Sequence, residues 1–197
     1  DDEYPDIAVL GSERWRVDQP AGRIVRVFWG SHDGFELIDR SDLGVAEGVD
    51  LAAVDVDGNG RLELAVLSTK GHITLVSAVD DAAHAKRPRS HVLTLPGKDV
   101  TCLTAADWEG RGQMGLVVGT RGQEIYLVGL PSAETDVEVR TFPAGAASHI
   151  CVGDLDEDGS PDIVLTRFSG ARAAGGEQAG ADTNASDRIR VLWGQEG

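Results

Sequence analysis

The sequence predicts an all-β protein assembled from four-stranded blades of a β-propeller, and three observations carry that expectation. One apolar segment recurs four times, Asp/Gly-rich loops stand at matching places before it, and no stretch holds a sustained helical period. The recurring segments are residues 5–10 (PDIAVL), 62–67 (LELAVL), 114–119 (MGLVVG) and 161–166 (PDIVLT). Ile7, Leu64, Leu116 and Ile163 align, at spacings of 57, 52 and 47 residues. A period of about 50 residues suits a blade of four short strands better than a helical repeat.

The second repeat shows the pattern most fully. Residues 51–54 (LAAV) read as a short strand, Asp55 to Gly60 as a loop, and Leu62 to Leu67 as a second strand. That second strand is almost continuously apolar, which is the signature of burial on both faces. Lys70-Gly71 marks a tight turn, His72 to Val76 a third strand, and His91 to Leu95 a fourth, ended by Pro96-Gly97. The third repeat follows suit with strands at Thr101–Ala106, Met114–Val118, Glu124–Val128 and Val137–Phe142. The approximate blades are therefore residues 1–48, 49–98, 99–145 and 146–197.

The first and last blades look incomplete. The sequence opens inside the loop of the first repeat, and the fourth stops after its third strand, Arg188 to Trp193. Either the sequence is a fragment of a larger propeller, or another chain supplies the missing strands. Residues 170–187, rich in Ala and Gly, read as a flexible insert loop between strands of the last blade. That insert contains the glycosylation sequon Asn184-Ala185-Ser186.

Composition narrows the function. A 197-residue chain with 41% hydrophobic residues can bury a core, and it contains no apolar run of about 18 residues that would insert in a membrane. The acidic opening (DDEYPD) carries no signal-like segment. With 33 acidic and 18 basic residues the net charge is −15, which repels phosphate backbones and argues against nucleic acid as a partner. Such a surface attracts cations instead. Cys102 and Cys151, 49 residues apart on strands that read as equivalent, suit either a disulfide or two buried thiols, with the thiols favoured.

The chemistry lies in the loops. Asp55-Val56-Asp57-Gly58-Asn59-Gly60-Arg61-Leu62-Glu63 and Asp154-Leu155-Asp156-Glu157-Asp158-Gly159-Ser160-Pro161-Asp162 share the pattern D-x-D-x-[DN]-G-x-x-[DE]. Side-chain oxygens fall at positions 1, 3, 5 and 9, a backbone carbonyl is available at 7, and glycine at 6 permits a sharp turn. An all-oxygen donor set of this size suits calcium; zinc would require histidine or cysteine. An EF-hand needs glutamate at position 12, where this sequence has Val66 and Leu165 in strands.

This strand–loop–strand arrangement resembles the FG-GAP repeat of integrin α-chain propellers and the related VCBS repeats. Residues 25–35 (VRVFWGSHDGF) are similar to the VCBS third strand and its turn, and residues 190–194 (RVLWG) repeat that segment. The resemblance implies about two calcium sites. One would use Asp55, Asp57, Asn59, the carbonyl of Arg61 and Glu63; the other would use Asp154, Asp156, Asp158, the carbonyl of Ser160 and Asp162. Glu63 stands where the family usually has aspartate. The third loop, Asp107 to Gly115, has Arg111 at position 5 and Gly115 at position 9, and reads as metal-free with Arg111 in the cation's place. The first loop retains Asp2 and Asp6 at positions 5 and 9 and reads as a half-site.

No nucleophile elbow, HExxH, phosphate loop or dinucleotide fingerprint occurs, and the five histidines are scattered. The reading is a non-catalytic, calcium-binding scaffold, extracellular, cell-surface or periplasmic, whose partner is a protein or a surface glycan. Two alternatives stay open: a lectin-like propeller using Trp15 or Trp108 to stack on sugar, and an accessory propeller of a larger polysaccharide-active enzyme. Trp29 and Trp193 occupy matching repeat positions and read as packing residues.

Overall fold

A computed structural model of the chain describes residues 4–13, 22–44, 47–77, 89–130, 137–167 and 189–194. The insert at 170–187 with its sequon, Trp15 and Asp2 lie outside the described residues. Within them the fold is all-β, and every strand pairing is antiparallel.

Among the described residues, fourteen strands form four sheets in chain order. Sheet one contains β1 (Ile7–Glu13), β2 (Gly22–Ser31) and β3 (Gly34–Gly44). Sheet two contains β4 (Gly48–Val54), β5 (Glu63–Ser68), β6 (His72–Ser77) and β7 (Arg89–Thr94). Sheet three contains β8 (Val100–Ala106), β9 (Gly115–Thr120), β10 (Glu124–Gly129) and β11 (Glu138–Pro143). Sheet four contains β12 (His149–Gly153), β13 (Asp162–Thr166) and β14 (Ile189–Leu192). Each sheet is a meander of sequence neighbours, so tight turns connect many of the strands. At two of those turns, glycine supplies a backbone that other residues rarely adopt: Gly34 has φ +94° and Gly71 has φ +74°.

Strand alternation explains the packing. Side chains of successive residues point to opposite faces. In β5, Ala65 and Leu67 face sheet three, joining Leu116, Val118, Tyr126 and Val128 in the largest core cluster. Their neighbour Val66 faces the other way, toward Val25, Leu10 and Leu43 of sheet one. In β9, Leu116 and Val118 turn back toward sheet two, while Val117 joins Cys102, Ile125 and Leu165 between sheets three and four. The two middle sheets are thus covered on both faces, which is why β5 and β9 read as unbroken apolar runs. Each fully buried Val or Leu contributes roughly 1.5–3 kcal/mol by leaving water.

Polar links cross between neighbouring sheets. Asp50 Oδ2 of β4 accepts the N–H of Leu103 in β8 at 2.8 Å, and the Thr101 hydroxyl donates to the Ala147 carbonyl. The first strands of sheets two, three and four lie in sequence against one another, β4 on β8 and β8 on β12. Among the described residues, the strands that pack closely across sheets belong to sheets that are neighbours in the chain.

Cys102 and Cys151 are both free, in line with the favoured reading, but Cys151 is exposed rather than buried. Both project toward the following side of their sheets: Cys102 enters the packing with sheet four, and Cys151 leaves from that sheet's far face, so the two sulfurs point away from a shared interface. Trp193 is exposed rather than packed, whereas Trp29, at the matching position, is half-buried and donates its indole N–H to Ser41 Oγ at 3.1 Å. Sheet one also continues past Phe35, where the sequence showed only a turn. Phe28 pairs with Arg40 and Gly30 with Phe35, so residues 36–39 bulge out and leave Leu37 and Ile38 exposed.

Candidate metal centres

Three loops lead into the second strands of sheets two, three and four, and they share one backbone course. Positions 4 and 6 take left-handed φ in all three: Gly58 (+72°) and Gly60 (+82°), Gly110 (+65°) and Gly112 (+78°), Glu157 (+62°) and Gly159 (+86°). The aspartate at position 1 fixes this wind by accepting successive backbone N–H groups, as short acidic side chains do in turns. Asp55 accepts from Gly58 (2.8 Å), Asn59 (3.1 Å) and Gly60 (2.8 Å). Asp154 accepts from Asp158 (3.1 Å) and Gly159 (2.9 Å). Asp107 accepts from Arg111 (3.0 Å) and Gly112.

Position 9 closes the loop. Glu63 Oε2 accepts the N–H of Val56 at 2.9 Å, and Asp162 Oδ2 accepts the N–H of Leu155 at 2.8 Å. The longer Glu63 reaches the same backbone group as the shorter Asp162, so the replacement of aspartate is accommodated.

Two groups of carboxylates converge. Ligand atoms of Asp55, Asp57 and Glu63 all lie within 4.8 Å of one another, as do those of Asp154, Asp156 and Asp162. Among the described residues, these two groups have the proximity and donor chemistry to hold a cation. Unit charges about 4 Å apart repel by roughly 1 kcal/mol in water and several times more in a partly buried setting. A divalent ion placed among them would reverse that repulsion, and oxygen-only donors match calcium. The other anticipated side-chain ligands take backbone N–H groups of their own loops. Asn59 Oδ1 accepts the N–H of Arg61 at 2.8 Å, and Asp158 Oδ1 accepts that of Ser160 at 2.7 Å.

The third loop holds its shape without such a cluster. At Gly115, which stands at position 9, an added Cβ would lie 2.4 Å from the Trp108 indole nitrogen. The indole therefore fills the space where the other loops carry a carboxylate. The cation resting on it is Arg140 from β11, its guanidinium 5.4 Å from the Trp108 ring centroid and 2.8 Å from Glu109. Glu138 orients that guanidinium through paired contacts of 2.6 and 3.0 Å, which also raise the Arg140 pKa and hold Glu138 below the usual carboxylate range. Arg111, expected in the cation's place, is exposed and reaches Glu109 at 3.4 Å. Arg140 was missed in the sequence because it lies on a different strand; the joint appearance of Trp108 and Gly115 was the available signal.

No helix among the described residues is long and apolar enough to cross a membrane. No family model matches the chain, and no curated protein matches it.

Proposed function

We propose that the chain is a calcium-binding run of β-propeller blades of the FG-GAP/VCBS kind, serving as a non-catalytic scaffold for a protein or surface glycan outside the cytoplasm. The observation that carries the reading is the convergence of Asp55, Asp57 and Glu63, and again of Asp154, Asp156 and Asp162, at the same repeat position of two sheets. The oxygen-only donors support calcium over zinc. Each ion would neutralise a loop that precedes a core strand, and so would stiffen the rim from which a scaffold presents its surface.

Calorimetric titration of the chelator-treated chain with calcium tests this. About two ions should bind with dissociation constants of roughly 10⁻⁴ to 10⁻³ M, as in extracellular modules. Asp57→Ala and Asp156→Ala should each remove one. At tenfold saturation each site should stabilise the fold by about 1.4 kcal/mol. Absence of binding at several times that concentration, in a chain folded by circular dichroism, overturns the reading.

A further inference from the structure

The fifth position of the three loops carries three different side chains on one backbone course: Asn59, Arg111 and Asp158, each followed by glycine. Gly60, Gly112 and Gly159 take left-handed φ of +82°, +78° and +86°. In the first of these loops the residue before the glycine is an amide, which has a leaving group that the Asp158 carboxylate lacks. The chain has two asparagines, and Asn59 is the one followed by glycine; Asn184 precedes Ala185.

The loop surrounds that amide with the groups a ring closure needs. The Gly60 nitrogen is the next along the chain, so its attack on Asn59 Cγ closes a five-membered ring. The Gly60 N–H donates to Asp55 Oδ2 at 2.8 Å, so a carboxylate already rests on the proton that must leave. Asn59 Oδ1 accepts the N–H of Arg61 at 2.8 Å, so a donor rests on the oxygen where negative charge gathers as the nitrogen adds. Asn59 and Gly60 are both exposed, and a Cβ added at Gly60 would meet nothing within 4 Å, which leaves room for the ring.

We propose that Asn59 is a site of self-modification, deamidating through a cyclic imide with the Gly60 nitrogen as nucleophile and Asp55 as its base. The Gly60 nitrogen bonds to Asn59 Cγ as Asp55 takes its proton. The Cγ–Nδ2 bond then breaks, and ammonia leaves with that proton. Water opens the imide at Cγ to give aspartate, or at the main-chain carbonyl to give isoaspartate. Water is the sole co-reactant, and nothing is oxidised or reduced. The fourth sheet's loop shows that the aspartate product fits. Asp158, at the same position, accepts the N–H of Ser160 at 2.7 Å, and the Gly159 N–H beside it goes to Asp154 at 2.9 Å. The reaction thus gives the 55–63 loop the carboxylate pattern of the 154–162 loop, with one more negative charge on the same backbone course. It requires neither loop to hold an ion.

Peptide mapping by mass spectrometry of the full chain, aged at neutral pH in chelator, tests the proposal, with Asn59→Asp as the standard for the product. Asn59 should convert faster in the folded chain than in the same chain in guanidinium chloride, by about tenfold or more, since a placed base contributes roughly 10²–10⁴-fold. Asp55→Asn, which keeps an oxygen acceptor but not the base, should slow the conversion at least about tenfold in the folded chain and leave it unchanged in guanidinium chloride. Conversion of Asn184 should be indifferent to that substitution. Circular dichroism establishes which samples are folded. Conversion at Asn59 no faster in the folded chain than in guanidinium chloride overturns the proposal, and that comparison needs no variant. So does a folded Asp55→Asn chain that converts at the unmodified rate.

Discussion

Asp162 Oδ1 accepts the backbone N–H of Gly194 at 2.8 Å, tying the end of the last acidic loop to the residues that follow β14. In sheet one, Asp6 Oδ1 holds the N–H of Gly30 at 2.9 Å in the same way. Because Asp162 also takes the N–H of Leu155, one buried carboxylate satisfies two backbone donors from distant parts of the chain. Asp162→Ala should therefore destabilise the chain even in chelator, by roughly 2 kcal/mol, given about 1–3 kcal/mol for a buried donor left without its acceptor. Asp162→Asn, which keeps one acceptor oxygen, should cost less. Urea denaturation with excess chelator separates this structural loss from any loss of metal.

Glu157 holds φ +62° at a position where the other two loops have Gly58 and Gly110. A side chain in that conformation costs about 1 kcal/mol or more. Glu157→Gly should raise stability by roughly 0.5–1 kcal/mol in chelator, offset in part by the freer unfolded chain. Thermal denaturation should show a higher midpoint with the fold unchanged; a lower one would mean that the Glu157 side chain supplies a contact worth more than the strain.

The two thiols should differ in reactivity. Burial pushes the Cys102 thiol up, Asp50 adding to the shift against hydrogen bonds from Thr101 and Gly119. In dilute native protein one cysteine, Cys151, should react promptly with a disulfide reagent, and the second only on unfolding. The linkage has a definite sign. A thiol whose folded pKa is raised keeps its full contribution below the ordinary value of about 8.5 and loses it as pH climbs toward the folded value. Stability should thus decline above about pH 9, and Cys102→Ser or Cys102→Ala should flatten that decline.

The Trp108 indole and the bare backbone at Gly115 should depend on each other. Gly115→Ala places a methyl 2.4 Å from the indole nitrogen and 2.8 Å from the Val128 carbonyl oxygen, and should cost about 1–3 kcal/mol by overpacking. Trp108→Leu, which copies Leu155 of the last loop, should recover part of that loss in the double variant. A double-mutant cycle with no coupling would mean that the indole is not what keeps this position a glycine.

Much of this architecture could be read from the residues. The alternation of Ala65, Val66 and Leu67 announces a strand buried on both faces, and the D-x-D-x-[DN]-G spacing marks the two loops whose carboxylates converge. Local pattern fails where a distant strand decides the outcome. Arg140 reaches Trp108 from β11, and nothing near Trp108 in sequence announces it. Leu37 and Ile38 are exposed because the shifted pairing between Phe28 and Gly30 lifts them off the sheet.

The covering of β5 and β9 from both sides has a kinetic consequence. Among the described residues the close contacts between sheets join chain neighbours, so opening should begin at sheets one and four, where Ile7, Val9 and Ile189 are exposed, and travel inward. Amide exchange should then grade along the chain, fastest in β1 and β14 and slowest in the middle of β5 and β9, where release requires the concerted opening of the whole molecule.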